Sequence, residues 1–577
     1  MANYYTDNPD IQLALKQIDW SEIIQLKEQN FSDAGRYPDA PSSVDEALRN
    51  YEDILELAGE IAADYIEPRS SSVDEQGCKL INGKVHYADE TYDSLRDLTH
   101  AELMGMPLPR RFGGLNLPNF VSNLVIEIVS RADAGLMTIF GLQEIAETIE
   151  LFANEEQKQE YLPRFARGDV TGAMVLTEPD AGSDLQAVAL RATENPDGDG
   201  FLLNGVKRFI SNGCGEVLLV LARSELRRSG AAGLSMFLCE KGPSIKIRRL
   251  ENKLGIKGSP TCEMQFTDTP AQLVGKRRRG LTHYVMSLMN GARIAIAAQA
   301  TGIAEAAYRA AIDYADSREQ FGKKIKQFAA VRDMLVDMKS MVEASRALNM
   351  ETCLAVDFDK LLDHKLEHGG CEGEELAQLK ERRARYKRIA AMLTPMSKMY
   401  ATEICQKVTH DAIQVHGGSG YMKDYPVERY YRDARITNIY EGTTQLQVVA
   451  AIGGVTSGTF LNYIKQLDQS MPEGVNPEEL QTVRDRLART EETIAHFNQQ
   501  EQECRDLYAR EMVDLCIELI LSYLLLHQST YNQRKKTLAT HFIHHTAPLA
   551  DMRIARITCG ERSTVDAFTE LVEEYQR

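Results

Sequence analysis

The chain has 577 residues, room for about three to four domains of ~150 residues each. Hydrophobic residues make up 43% and charged residues 26%, an ordinary balance for a soluble globular protein, and the net charge of −18 without a dominant basic block disfavours nucleic acid or an anionic membrane as partner. Uncharged apolar runs such as 217–222 fall far short of the ~18 residues of a membrane span, and ten scattered cysteines without a Cys-x-x-Cys pair suggest neither structural zinc nor a disulfide framework.

The first residues, MANYYTDNPD, carry neither a signal nor a transit pattern, so the expected compartment is reducing cytoplasm. Residues 1–44 are a polar extension with a mildly helical stretch, Ile11 to Gln29, in which the lone Trp20 is expected to anchor the segment. From 45 to 170 the pattern is helical: Leu48, Ile54, Leu55, Leu57 and Ile61 recur at three-to-four spacing, and VSNLVIEIVSRADAGLMTIFGLQ reads as one helix buried on most sides. Residues 171–282 read as a β domain of short apolar strands, with hairpin-type turns expected at Asn204-Gly205 and Asn212-Gly213.

Past His283 long helices return, and 283–455 reads as a bundle. ARIAIAAQATGIAEAAYRAAIDYADS is Ala-rich, which lets a neighbouring helix come close. Helices near 325–357 and 375–409 flank the charged stretch HKLEHGGCEGEEL, expected to be a solvated insertion. HGGSGY at 416–421 stops a helix, NIYEGTTQLQ restarts one, and 456–577 forms a further helical extension. The fold class is therefore mostly α with a central β domain. The layout excludes a nucleotide-binding α/β sheet, and neither a Gly-x-Gly-x-x-Gly after a strand nor a phosphate loop is present.

Several segments are candidates for chemistry. LTEPDAGSD at 176–184 leaves a strand with small residues and the hydroxyls of Thr177 and Ser183; it reads as an ordinary loop or as one that grips a polar ring edge or phosphate. Phe209 and Ser211 lie two apart on a strand and so share a face, as core or as the wall of a flat cofactor. Arg318 ends a long helix, as a dipole cap or a phosphate ligand. Glu441 precedes a helix of small and apolar residues, as a first-turn acid or as a general base in an apolar pocket. His410 and His416 have no metal-ligand spacing and read as structural.

Taken together and in order, LTEPDAGSD, FISNG, SREQFGKKI, QVHGGSGY and RDARITNIYEGTTQ resemble the acyl-CoA dehydrogenase family across residues 45–455. The resemblance implies a helical N-terminal domain, a small β-barrel or sandwich and a C-terminal four-helix bundle with FAD between them. It also implies α,β-dehydrogenation of an acyl-CoA thioester to the trans-2-enoyl-CoA. Glu441 matches the base that removes the α-proton while hydride leaves to flavin N5, and electrons pass to electron-transfer flavoprotein. In this scheme the enolate is stabilised by the Glu441 backbone N–H and a flavin ribityl hydroxyl, and the acyl chain desolvates the base.

By the same match, Leu176, Thr177, Ser183, Phe209, Ser211 and Phe328 contact the flavin, with Ser183 also near the pantetheine. Arg318, Phe321, Gln414, Gly417 and Gly418 match residues that hold the FAD of a neighbouring subunit, which implies a homodimer, or a tetramer. Thr443 and Gln445 match FAD contacts beside the base, and Asn290, Arg293, Tyr440 and Gly442 match positions near the CoA or acyl group. No metal is implied.

The chain departs from the family in several places. Asp180 replaces a small residue, Phe stands at 209 where many relatives have Trp, and Phe328-Ala329 removes one polar flavin contact. Ala292 occupies the position where some members carry their base, which leaves Glu441 as the candidate. Met137 stands where glutaryl-type members have Arg, which counts against a dicarboxylyl substrate; the depth of the acyl pocket is set by loop geometry around Arg110, Met137 and Phe140, which the sequence does not fix. The extra length resembles a longer bacterial branch that includes methylthiopropanoyl-CoA dehydrogenases, and the added helices favour a dimer. The alternatives are an acyl-CoA oxidase, a flavin monooxygenase of the same fold, which lacks the base, and a non-catalytic assembly partner.

Overall fold

The computed structural model describes residues 2–572. The chain divides into two units, Met1–Lys339 with Thr402–Glu441, and Ser340–Ala401 with Gly442–Arg577.

The first unit begins with α1 (Pro9–Lys16) and α2 (Ser21–Lys27), followed by α3 (Val44–Glu60). Ser43 caps α3 by accepting the Glu46 N–H. Its buried stripe is Ala47, Tyr51, Leu55 and Ala58, shifted from the one expected; Leu57 faces solvent. The N-terminal segment packs against this helix closely enough that a Cβ on Gly59 would lie 2.6 Å from the Tyr5 backbone nitrogen. Trp20 meets Tyr51 and Phe120 edge-on and donates its indole N–H to the Leu15 carbonyl at 2.8 Å, as an anchor should.

A π-helical turn leads to α4 (Glu67–Gln76), a hairpin of β1 (Lys79–Ile81) and β2 (Lys84–His86), and α5 (Asp89–His100). The expected single apolar helix is two, α6 (Asn119–Ala132) and α7 (Ala134–Gly141), because Asp133 turns extended and caps α7 by accepting from Gly135 and Leu136. Both are buried on nearly every side. Next come α8 (Ile145–Phe152) and α9 (Glu155–Ala166), the latter with a capping box between Asn154 and Gln157.

The β region comprises β3 (Gly172–Val175), β4 (Arg191–Glu194), β5 (Phe201–Ser211), β6 (Val217–Arg223), β7 (Leu234–Glu240), β8 (Ile245–Leu250) and β9 (Thr261–Val274). Pairing runs β6-β4-β5-β9-β7 and returns from β7 to β6, so the sheet closes on itself; β3 adds to β6 and β8 to β9. Leu218, Val220 and Ala222 point to one apolar cluster and Val217, Leu219 and Leu221 to another, so β6 is covered on both faces and its sequence shows no alternation. Asn204-Gly205 is not the expected turn. It lies inside β5, where the register shifts, Asn204 pairs with Asp268, and a Cβ on Gly205 would come within 3.1 Å of Leu190.

The helices that follow are α10 (Met286–Ser317), α11 (Ala329–His368), α12 (Gly373–His416) and α13 (Val427–Thr437). The Ala-rich α10 packs on α6 as its composition suggests: a Cβ on Gly302 would stand 2.4 Å from the Glu127 carbonyl. α11 and α12 are longer than expected, and the charged stretch between them is a short turn with most of its residues inside the helices. α13 forms from the charged run before Ile439, which the sequence reading left unassigned.

The second unit contains α14 (Thr444–Thr456), α15 (Thr459–Gln469), α16 (Pro477–Gln499), α17 (Gln502–Gln528) and α18 (Gln533–Thr558). Its core centres on α17, where residues from Leu515 to Leu526 are buried almost without interruption. No helix among the described residues is long and apolar enough to cross a membrane.

Candidate active site

Two of the sequence motifs are joined by a buried ion pair. Lys207 on β5 is fully enclosed; its ammonium lies 3.0 Å from a Glu178 oxygen and donates to the Leu176 carbonyl at 2.6 Å. Burial lowers the lysine to about 8, with Glu178 opposing the shift. Glu178 also accepts the Ala189 and Leu190 N–H groups, which fastens the 176–183 loop against β5. Thr177 and Ser183 sit on this loop, Gly182 leaves its backbone open, and among the described residues no protein group pairs with either hydroxyl.

Beyond Lys207 the strand bulges. Lys207 pairs with Met264 and Ile210 with Cys262, so two residues oppose one, while the Arg208 N–H turns to the Thr177 carbonyl at 3.0 Å. Phe209 takes φ 61°, a costly region for a bulky side chain. Past the bulge Ile210 is buried while Phe209 and Ser211 on either side of it are not, the pattern expected if the two share a face. The Phe209 ring is half exposed, and Ser211 lines the cavity described next. Asn212 fixes the strand end: it is fully buried at φ 50°, donates to the Gly172 carbonyl at 2.9 Å and accepts from Tyr87.

The cavity has free space of about 60 Å³. Met137, Leu142, Ile145, Met174, Leu288, Ala292, Ala295 and Ile296 supply apolar walls, with Thr138, Ser211, Tyr440 and Glu441 as polar members. Glu441 follows α13 after a short turn and has φ 51°, followed by Gly442 at φ 93°. A left-handed glutamate is rare, and such strain persists where its surroundings fix it. Arg293 is 9% exposed, donates to Asn290 Oδ1 at 3.2 Å and lies within electrostatic reach of Glu441; burial lowers its basicity and the Glu441 charge opposes that. The Tyr440 hydroxyl donates to Gln299 Oε1, and Gln299 donates to the Ala134 carbonyl and Thr138 Oγ1. Burial pushes the Tyr440 phenol well up, and the adjacent Glu441 adds to it. Gln299 and Thr138 were missed from the sequence; a lone Gln inside ARIAIAAQATG was the available signal.

Other expected site residues lie elsewhere. Leu176 is buried in the core beside the β region. Phe321 (φ 52°, 93% exposed) and Arg318 sit in the turn after α10, with Phe328 edge-on to Phe321. Gln414, Gly417 and Gly418 are exposed at the end of α12, tied to the same end of α10 by Tyr314, which stacks on His416 and donates to Ser419. α10 rises about 33 Å between Ala295 on the cavity wall and Ser317. Gly442, Thr443 and Gln445 belong to the second unit, where Thr443 caps α14 and the Gly442 carbonyl accepts from Lys398 and Gln447. Arg110 is not among the residues lining the cavity; its guanidinium is buried against Glu28 at 2.6 Å and Asp39 at 3.1 Å. Met137 does line it, and Phe140 lines a neighbouring chamber.

The family pattern "Acyl-CoA dehydrogenase, N-terminal domain" matches residues 49–169, "middle domain" 173–269 and "C-terminal domain" 279–452, and "Acyl-CoA dehydrogenase C terminal" matches 456–547. The chain is 38% identical over 351 residues to an acyl-CoA dehydrogenase of Bacillus subtilis, covering 60% of this chain and 84% of that protein. A structure titled for the electron transferring flavoprotein of Acidaminococcus fermentans matches with TM-score 0.59 and 32% identity, over 70% of this chain and 96% of that one. The acyl-CoA dehydrogenase of Bacillus anthracis complexed with FAD shares the fold over 91% of both chains, with TM-score 0.76 and 22% identity.

Proposed function

Because the chain belongs to the acyl-CoA dehydrogenase family, we propose that Glu441 is the base of an FAD-dependent α,β-dehydrogenation of an acyl-CoA thioester. The general activity, an oxidoreductase that dehydrogenates acyl-CoA, follows from family membership. The observation that carries the finer reading is Glu441 itself, a left-handed carboxylate residue on the wall of a largely apolar cavity.

FAD is the cofactor, and the residues fit it: a half-exposed aromatic ring at Phe209, and unpaired hydroxyls on Thr177 and Ser211 among the described residues. When bound, FAD supplies a ring that accepts the β-hydrogen as hydride. The chain supplies the rest. The Glu441 carboxylate takes the α-proton, and its backbone N–H donates to the thioester oxygen, where negative charge develops. Apolar walls keep water from the reacting carbons and weaken the solvation of the carboxylate, which strengthens it as a base. Arg293, held by Asn290, and Tyr440, held by Gln299, set the polar rim.

The long separation along α10 supports a homodimer. The Arg318, Phe321 and Gly417 cluster stands at the far end of that helix from the cavity, too distant for the same FAD to reach both, so it serves another copy's cofactor. Electron-transfer flavoprotein is the proposed electron acceptor, cytoplasm the proposed location, and the five segments 1–44, 45–170, 171–282, 283–455 and 456–577 the proposed domains. Titration of the purified yellow protein with a panel of acyl-CoAs should bleach the flavin. Glu441→Gln should keep FAD and lose about 10²- to 10⁴-fold in rate; normal bleaching by that variant refutes the assignment. Slow reoxidation of the product complex by air separates the dehydrogenase from an oxidase.

A further inference from the structure

The cavity beside Glu441 has a neighbour. Gly141 and Glu144 line both it and a second chamber, whose apolar side includes Leu103, Met104, Ile126 and Phe140. Its other side is polar: Asn119, Ser122 and Asn123 from the start of α6, Gln143 and Glu144 from the turn after α7, and Glu147 from α8.

Three of these residues keep an unmatched atom. Ser122, Asn123 and Gln143 are 7%, 3% and 6% exposed, yet among the described residues Ser122 Oγ, Asn123 Oδ1 and Gln143 Oε1 have no hydrogen-bond partner. The amide orientations follow from their other ends. Asn123 Nδ2 donates to the Asn119 carbonyl at 2.9 Å, and Gln143 Nε2 donates to the Val170 carbonyl at 3.2 Å. A carbonyl only accepts, so nitrogen must face it, and the unmatched atom of each amide is an acceptor. Buried acceptors without partners are costly and rare in folded chains, and several along one wall call for a donor. Glu144 and Glu147 also line the chamber, and among the described residues no lysine, arginine or histidine does. The surroundings therefore favour a donor and oppose a carboxylate. The free space of about 30 Å³ takes one or two waters or the last atoms of a chain.

We propose that this chamber receives the far end of the acyl group, and that the substrate is a short acyl-CoA whose terminal carbon bears a hydrogen-bond donor, a hydroxyl or an amine. This rests on the acyl-CoA dehydrogenation proposed above. An amine donates to both Asn123 Oδ1 and Gln143 Oε1 and a hydroxyl to one of them, which selects among thioesters of equal length; these two side chains determine specificity and take no part in the proton transfer.

The test uses the full-length holoenzyme and thioesters of four to six carbons in four series: unsubstituted, ω-hydroxy, ω-amino and ω-methoxy, the last filling the space without donating. A dicarboxylyl thioester completes the panel. kcat/KM is measured with an artificial electron acceptor, and the dissociation constant by calorimetry on Glu441→Gln. At the best length, the hydroxy or amino compound should exceed both the unsubstituted and the methoxy compound by at least about tenfold in each measure, with the dicarboxylyl compound the poorest. In Gln143→Met, and separately in Asn123→Leu, the ratio of donor-bearing to unsubstituted substrate on one preparation should fall several-fold. Equal rates for all four series, or ratios unchanged in both variants, mean that the chamber holds water only, and overturn the inference while leaving the dehydrogenation intact. Failure of every thioester to reduce the flavin overturns both.

Discussion

Asp433 on α13 offers a quantitative test of how the site is held. Its carboxylate accepts the Ile256 N–H at 2.5 Å, and Ile256 is itself left-handed at φ 42°. Lys253 secures that loop by donating to the Ile256 and Ser259 carbonyls, and Arg432 ties α13 to Asp74 on α4. Burial lifts the Asp433 carboxyl from 3.8 to about 7; the Ile256 N–H and Arg429 pull it down, and Asp74 and Asp133 push it further up. A folded-state value above the unfolded one means stability that is fully present below pH 3.8 and lost as pH rises through 7. At 1.36 kcal/mol per unit the whole window is worth about 4 kcal/mol, of which about 3 lies above pH 5. Asn has the shape of the protonated acid and can accept the same N–H, but it never ionises. Asp433→Asn should therefore match the parent near pH 4 and exceed it by about 3–4 kcal/mol at pH 8. Urea midpoints of both proteins, measured from pH 4 to 8 with matched slopes, give the answer. Midpoints that stay parallel across the range would show that this carboxyl is not held neutral, and the reasoning fails.

Two further substitutions probe the same framework. Arg110→Ala leaves Glu28, whose side chain is 1% exposed, buried without its bidentate partner, and should cost about 3–5 kcal/mol; an unchanged thermal midpoint counts against a buried pair. Gly255→Ala puts a Cβ 2.5 Å from the Arg432 carbonyl, so the loop must leave α13. A loss of about 1–3 kcal/mol is expected in thermal unfolding, and full stability would show that the loop does not press on the helix.

Much of the fold was legible because its signals are local. Apolar spacing marks the helices, short runs and turns mark the strands, and five motifs in order carry the family. What the sequence hides are choices made by distant partners. Asn204-Gly205 looks like a turn, but Asp268 and Leu190 hold it inside a strand. Lys207 to Ile210 reads as plain strand, but the Arg208 N–H leaves the ladder for Thr177 and the register shifts there. Lys207 carries an ordinary surface charge in sequence and becomes the most enclosed cation of the loop it braces. Nothing near Arg110 in sequence points to Glu28, 82 positions earlier, which its guanidinium pairs with. Glu441 stands out in the motif, but its left-handed backbone depends on the packing that surrounds it.

The N-terminal segment has a consequence for how the polypeptide is made. Asp7 reaches Arg131 at 2.7 Å, Tyr4 lies over the same guanidinium, and the Asp7 carbonyl accepts from Arg309, 302 positions later. At ~5–20 residues per second on a ribosome, Asp7 waits about 15–60 s before that arginine has been synthesised. Trp20 finds Tyr51 and Phe120 first, and the tie of Asp7 to α10 is the last part of the segment to close.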